Sequence, residues 1–243
     1  MKKQIKIREH IELAVDSITL AVFFMIFFIG GYAILDAKIV DNGTSVDEEI
    51  SSLSPNSQNG DFDFNELKSI NPEIIAWLRI DNTGLDYPIV QTNDNSKYLV
   101  RNYRSEYNTA GAIFVDSRNN KFLDDFTIIY GHRVDGVKMF GELTKFSENA
   151  FFSDHTTGTL YTENGVYDLK TIAYAVLNIG TTNVYKMHAN RNGQNETITT
   201  EILSNAKNQT ADYDSTKQLL MLSTCDKDTK NYRDVLLLNM TKR

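Results

Sequence analysis

Residues 218–225 read QLLMLSTC, an apolar run that ends in the only cysteine of this 243-residue chain. A short apolar run of this kind predicts a buried β-strand. At the end of such a strand the backbone leaves the core, so the thiol of Cys225 stands where it can meet a substrate. By itself, however, a cysteine after an apolar run is more often a small buried hydrophobe than a nucleophile. Residues elsewhere in the chain must therefore decide its role.

Seven further β-rich segments accompany this strand. They are short, turn signals separate them and few long helical patterns interrupt them, which predicts a mainly β fold with peripheral helices, built as a closed or nearly closed eight-stranded barrel. Pro88, inside the second segment, suggests an edge or a bulge there. The eight segments are residues 77–80, 85–90, 111–115, 126–130, 159–162, 167–177, 219–224 and 235–240.

Short helical patterns lie among the strands. Residues 63–70 predict one helix, and Asn71 and Pro72 look like the start of another, with Asn as the cap and Pro at the first helical position. Two further helical pieces are predicted at residues 95–99 and 139–143. All of these are peripheral to the predicted barrel.

A long insertion, residues 178–217, precedes the cysteine strand and contains a helix predicted between Glu196 and Ala206. Loops of that length are usually functional or disordered, and here we predict a wall of the substrate site. Ser223 and Thr224, which precede the thiol on its strand, are the other predicted substrate-binding residues.

The first 35 residues differ from the rest. Four basic residues within the first ten precede residues 17–35, which run for nineteen positions without a charge. That length is close to the ~20 residues that a membrane-spanning helix needs, and the basic flank predicts a cytoplasmic N-terminus with the rest of the chain outside. A cleaved signal peptide is the alternative, but its apolar region is usually only ~7–15 residues long. We therefore predict an uncleaved, single-pass anchor in the cell membrane.

These patterns divide the chain into four segments. Residues 1–16 form a basic cytoplasmic segment, and residues 17–35 form the anchor. Residues 36–62 are polar and acidic, which predicts a tether with a short helix around residues 47–53. Residues 63–243 are long enough to form one domain with its own core.

Charge and cysteine usage exclude several kinds of partner. The formal net charge is −7 and residues 1–35 contribute +1, so the remainder carries −8. An acidic body argues against a nucleic-acid partner. One cysteine allows no intrachain disulfide, and no Cys/His cluster has the spacing of a zinc site, so we predict no metal and no cofactor.

His132 is the best partner for Cys225 in the sequence. It follows the β-branched run FTIIY, so it too stands at a strand end, and the loop-like residues 133–136 leave the imidazole accessible. Free cysteine has a pKa of ~8.5, and a neighbouring imidazolium favours the reactive thiolate. His155 and His188 lie in polar stretches and are more simply explained as solvated loop residues.

Arg233 follows Cys225 by eight residues, just before the last predicted strand. If the strands on either side of the intervening loop are neighbours, the guanidinium returns close to the thiol. Its forked donors could there bind a developing oxyanion or substrate carbonyls. An ordinary salt bridge to Asp226, Asp228 or Asp234 is the alternative, and at this point both stay open.

Several separated motifs of this chain occur together in one known family. Leu-Ser-Thr-Cys at 222–225, followed by Arg233 and preceded by Tyr-Gly-His at 130–132, resembles the sortases. Four more motifs resemble class B members in particular. These are NPEIIAW at 71–77, DYPIVQ at 86–91, GAIFVD at 111–116 and MFGEL at 139–143.

The resemblance implies a membrane-tethered cysteine transpeptidase on an eight-stranded barrel, which joins secreted proteins to the cell wall of Gram-positive bacteria. Cys225 would attack the scissile carbonyl of a C-terminal sorting motif and form a thioacyl intermediate. His132 would protonate the leaving amine and then deprotonate the amine of a peptidoglycan cross-bridge, while Arg233 would orient the substrate and support the oxyanion. Class B members insert a helix before the cysteine strand, which fits the predicted insertion.

Two other functions stay open on the sequence alone. A thiol protease would pass the same acyl group to water instead of an amine. A catalytically silent, surface-anchored binding module would use the same barrel without forming any adduct. Whether Asp226 has a catalytic or only an electrostatic part is also open.

Overall fold

The computed structural model describes residues 2–44, 48–55, 62–134, 138–187, 195–225 and 231–243. The chain divides into two compact units, residues 1–42 and 43–243. The first unit belongs to a single helix, α1 (Lys2–Thr44), in which His10–Leu35 is long and apolar enough to cross a membrane. The predicted apolar run, residues 17–35, lies inside this helix. The four segment boundaries predicted from composition stay predictions.

The second unit is a β-barrel with short helices around it. Its helices are α2 (Glu48–Ser52), α3 (Phe64–Ile70), α4 (Asn149–Asp154), α5 (Val184–Met187) and α6 (Asn195–Ser204), with 3-10 helices at Lys97–Leu99 and Phe140–Ser147. Its strands are β1 (Ile74–Ile80), β2 (Asp86–Val90), β3 (Phe114–Val115), β4 (Phe126–Tyr130), β5 (Arg133–Val134), β6 (Lys138–Met139), β7 (Thr157–Thr162), β8 (Gly165–Asn178), β9 (Ala206–Gln209), β10 (Gln218–Cys225) and β11 (Tyr232–Lys242).

Eight of these strands close into a ring. The order is β11-β10-β4-β3-β2-β1-β7-β8, and β8 pairs with β11 to complete the barrel. Strand β9 is not part of this ring and pairs with residues 173–175 of β8. Each of the eight segments predicted from the sequence overlaps one strand of this ring. The prediction of a closed eight-stranded barrel is therefore confirmed.

The strand that carries the cysteine is buried on both faces. Leu219, Leu220, Met221 and Leu222 are all at most 1% exposed. Leu219 and Met221 belong to one hydrophobic cluster with buried residues of β4, β8, β11 and α6. A strand covered on both sides reads as a continuous apolar run instead of an alternating one, which explains the pattern of residues 218–225.

The helix start predicted at Asn71 and Pro72 is wrong. Asn71 instead caps the C-terminal end of α3, where its N–H donates to the carbonyl of Leu67, and the chain enters β1 at Ile74. A residue before proline is pushed towards extended backbone, and Asn71 has φ −152° and ψ 116°. The helix predicted at residues 63–70 is present as α3, capped by the side chain of Asp63.

Other local predictions are refined by the structure. The pieces predicted at residues 95–99 and 139–143 overlap 3-10 helices. Arg133 and Val134 form β5, paired with β6, where the sequence suggested a loop. Pro88 lies where β2 pairs with β1, whereas β2 meets β3 only through Val90 and Phe114. A proline has no N–H, and it is tolerated there because this stretch of β2 needs no N–H donor on the side that faces β3.

Candidate active site

The barrel brings the ends of β4, β10 and β11 to one edge. β4 and β10 are parallel neighbours with Tyr130 opposite Ser223, and the N–H of Gly131 donates to the carbonyl of Ser223 at 3.2 Å. His132 and Cys225 each lie two residues beyond this pair. On the other side of β10, Cys225 is directly opposite Arg233 of antiparallel β11. The backbone therefore places all three predicted catalytic residues at the same edge of the barrel.

A cavity of about 300 Å³ opens at this edge. Four of the predicted site residues line it: His132, Ser223, Thr224 and Arg233. No residue of α6 lies among the described residues that line the cavity, because α6 turns Ile198 and Ile202 into the barrel's outer core. The predicted helix in the insertion is present, but it meets the barrel beside the cavity.

His132 is partly exposed, and its ring is oriented by the main chain. Its Nε2 lies 3.0 Å from the carbonyl oxygen of Leu99. Because a carbonyl oxygen can only accept, this partner implies that Nε2 carries the hydrogen. Nδ1 is then left as the ring nitrogen that can take up or release a proton.

The carbonyl of Leu99 is held by a buried polar cluster. Tyr98 is fully buried, its hydroxyl donates to Glu73 and accepts from Asn71, and its carbonyl accepts from the N–H of Ala112 at 3.0 Å. Burial, followed by the Glu73 carboxylate, raises the pKa of Tyr98 well above its usual range, so the phenol keeps its hydrogen. This cluster fixes the 3-10 helix that presents the Leu99 carbonyl to His132.

Gly111 packs directly beneath the imidazole, which the sequence did not reveal. Its φ is +65°, and a Cβ at this position would lie 2.5 Å from the carbonyl oxygen of Tyr98 and 3.0 Å from Cδ2 of His132. A glycine is therefore needed here both for its backbone conformation and for the close approach of the ring.

If His132 is catalytic, as the sequence predicts, we expect Gly111→Ala to lower kcat by about 100-fold, because a small displacement of a catalytic group from its productive position has an effect of that order. Steady-state turnover of the peptide substrate that the sequence predicts measures it, with thermal unfolding to confirm that the variant folds. Gly165→Ala is the matched control, since Gly165 also has positive φ (+127°) but begins β8, at its hairpin with β7. Equal losses of activity in the two variants would show that Gly111 matters for stability alone.

Arg233 lines the cavity while its neighbour in sequence points elsewhere. The guanidinium donates from NH1 to the carbonyl of Tyr232 at 2.9 Å. Asp234 is buried, accepts a hydrogen bond from the hydroxyl of Tyr174 and lies 3.4 Å from Arg133. Successive residues of a strand face opposite sides, and Arg233 lines the cavity whereas Asp234 is not among the described lining residues. Asp226 and Asp228, the other predicted salt-bridge partners, lie outside the described residues.

His155, one of the two competing histidines, is not among the described residues that line the cavity. His155 stacks on the ring of Phe151 with centroids 3.9 Å apart, and its Nδ1 lies 2.7 Å from the carbonyl of that residue. His188 lies outside the described residues.

Comparisons with known proteins identify relatives of this chain. Residues 78–239 match the family model of the sortase domain. Sortase B of Listeria monocytogenes is 32% identical over 230 residues, which cover 89% of this chain and 91% of that protein. The structure of a Bacillus anthracis protein described as similar to sortase B has a TM-score of 0.69 at 32% identity, covering 86% of this chain and 97% of that one. A Staphylococcus aureus sortase B–substrate complex has a TM-score of 0.67 at 26% identity, covering 74% and 84%.

Proposed function

This chain belongs to class B of the sortase family, whose members are cysteine transpeptidases, and on that premise we propose that it anchors secreted proteins to the cell wall. It would cleave a C-terminal sorting motif and transfer the acyl group to an amine of a peptidoglycan cross-bridge. The observation that carries this proposal is the convergence of three strand ends on one cavity. His132 and Arg233 line that cavity, and Arg233 is the cross-strand partner of Cys225.

The proposed reaction has two halves that share one thioester. The thiolate of Cys225 attacks the scissile carbonyl carbon, and the C–N bond breaks as His132 gives its proton to the leaving amine. His132 then takes a proton from the incoming amine, whose nitrogen attacks the thioester carbonyl and releases the thiolate. The histidine ends each cycle in the protonation state in which it began, so no other acid or base is needed.

Arg233 and Thr224 are the proposed donors to substrate oxygens. A guanidinium at the cavity wall stays charged and can stabilise the oxyanion that forms on the scissile carbonyl. Thr224 is 2% exposed and lines the cavity, and its Oγ1 has no hydrogen-bond partner among the described residues. A buried hydroxyl without a partner costs about 1–3 kcal/mol, so a substrate carbonyl that accepted its hydrogen would be favoured.

The remaining cavity wall is largely apolar and suits the apolar side chains of a peptide. Leu99, Phe114 and Tyr130 line it together with the polar Ser223. The insertion reaches this wall through α5, where the hydroxyl of Tyr185 lies 2.7 Å from Oγ of Ser223. We therefore keep the insertion as part of the substrate site, with α5 next to the cavity and α6 supporting it from behind.

The apolar part of α1 is the proposed membrane anchor. The helix His10–Leu35 has the length and composition of a membrane span, and sortases act at the cell surface. The basic residues before it support a cytoplasmic N-terminus with the barrel outside the cell. The catalytic unit would then meet secreted proteins as they leave the membrane.

The choice between transfer to an amine and transfer to water tests the proposed function. We expect the full-length protein in detergent, given a library of fluorogenic sorting-motif peptides, to cleave at least one of them. Adding a glycine peptide as amine should then convert the hydrolysed product into a ligated one, detected by mass spectrometry. Products that do not change with added amine would indicate a thiol protease, and a thiol that never acquires an acyl adduct would indicate a binding module.

A further inference from the structure

An arginine outside the cavity connects the barrel to the insertion. Arg118 follows β3 and forms a forked pair with Asp116, with Nε 2.9 Å from Oδ1 and NH2 2.6 Å from Oδ2. Its third nitrogen, NH1, donates to the main-chain carbonyl of Tyr185 in α5 at 3.1 Å. One guanidinium thus links the end of a barrel strand to the backbone of the insertion.

Asp116 is a fully buried partner of Arg118 in this link. Its side chain is 0% exposed, and its Oδ2 also accepts a hydrogen bond from the hydroxyl of Tyr130 at 2.9 Å. Burial alone would raise the pKa of this carboxyl, but the hydrogen bonds from Arg118 and Tyr130 outweigh it and hold the pKa well below the usual range. The carboxylate is therefore charged at neutral pH, and it fixes the plane of the guanidinium through charge-assisted, forked bonds.

The same link continues to the cavity wall. Tyr185 stacks on Tyr130 with ring centroids 6.4 Å apart and planes at 24°, and its hydroxyl shares a 2.7 Å hydrogen bond with Ser223. Ser223 lines the cavity two residues before Cys225. A displacement of Tyr185 would therefore move a hydrogen-bonding group at the wall where the peptide is proposed to lie.

Segment α5 depends on such contacts for its position. It is only four residues long, and a helix of that length is not stable by itself in water. Val184 fixes one side of it in the hydrophobic cluster under β10, and the bond from Arg118 fixes the carbonyl of the next residue. The Arg118 side chain itself is 37% exposed, so its replacement removes little of the core.

We propose that Arg118 is a positioning residue for substrate binding, which sets the place of Tyr185 and, through it, of Ser223. It acts on the affinity for the peptide and leaves the chemical step unchanged, because Arg118 is not among the described residues that line the cavity. This inference rests on the proposed function in that the cavity is taken to bind a sorting-motif peptide.

The kinetic test uses Arg118→Gln, Tyr185→Phe and the double variant of the full-length protein. Losing a hydrogen bond from a charged group corresponds to about a tenfold effect, so we expect KM to rise about tenfold in Arg118→Gln while kcat stays within about twofold. The double variant should resemble the worse single variant, because both substitutions break the same link. Arg118→Lys, which keeps the charge but loses the fork, should be intermediate. If the increases in KM of the two single variants multiplied fully in the double variant, or if the loss were confined to kcat, the proposal would be overturned.

A second measurement needs no substrate and so separates this inference from the proposed function. Hydrogen exchange at the amides of α5 should be faster in Arg118→Gln than in the parent protein, because the segment loses one of the contacts that hold it. Arg243→Gln is the matched control, since Arg243 pairs with Asp168 at 2.7 Å away from the cavity, and it should change neither KM nor this exchange. Unchanged exchange in Arg118→Gln would refute the positioning role even if no peptide substrate is cleaved.

Discussion

Replacing Cys225 by alanine is expected to abolish both turnover and the covalent intermediate. Removing the nucleophile of a cysteine or serine hydrolase-type site costs several orders of magnitude, so we expect kcat to fall by about 10⁴-fold or more. The reason is that no second group can form the thioester: the chain has one cysteine, and it lies at the end of β10 opposite Arg233. Intact-mass spectrometry of the protein after incubation with peptide measures the adduct, and product formation measures turnover.

The single thiol also provides the control for this prediction. A small methanethiosulfonate reagent should block the parent protein, and a reductant should restore its activity, which shows that loss of the thiol function does not require unfolding. Cys225→Ala should retain the thermal unfolding transition of the parent. An acyl adduct that persists in the alanine variant would place the nucleophile elsewhere and remove the basis of the transpeptidase mechanism.

The strands were predictable from the sequence, whereas their pairing was not. Runs such as residues 126–130 and 218–225 carry a local apolar signal that is independent of their neighbours. The parallel pairing of β4 with β10 places Tyr130 opposite Ser223, which is 93 positions away in the sequence. No local pattern encodes such a contact. That pairing places His132 and Cys225 at the same barrel edge. The candidate residues were therefore found from their chemistry, and the structure supplied their proximity.

The failed helix start shows how a local signal can have two meanings. An Asn followed by Pro can begin a helix, but the same pair can also end one, since Asn caps α3 and the proline prevents its continuation. What decided between them was the burial of Ile74 and Trp77, which belong to a cluster with Leu67 of α3. Burial of that kind depends on the assembled barrel and is not visible in a seven-residue window.

The groups that orient the site residues could not be predicted from the sequence either. Gly111 is important because of a positive φ and the nearness of His132, and the Leu99 carbonyl is important because it faces Nε2. Neither a glycine in a loop nor a main-chain oxygen carries a distinctive sequence signal. The role of Arg118 also carries no sequence signal, since its hydrogen-bond partner in α5, Tyr185, is 67 residues away. The proposed catalytic groups could be selected by residue type, while the groups that orient them required the fold.

Replacing His132 by alanine is expected to lower kcat by about 10²–10⁴-fold, the usual contribution of a positioned general acid and base. Both halves of the reaction need a proton moved at the same place, and His132 lines the cavity with Nδ1 available because Nε2 faces the Leu99 carbonyl. Single-turnover acylation and ligation to a glycine peptide should both slow, since the residue serves as acid in the first and as base in the second. His155→Ala is the matched control: it removes a histidine bonded to the carbonyls of Phe151 and Asn82, and ligation should continue at the parental rate. If His132→Ala slowed acylation but left the ligation half unaffected, another group would have to deprotonate the incoming amine, and the shared role of one histidine would be wrong.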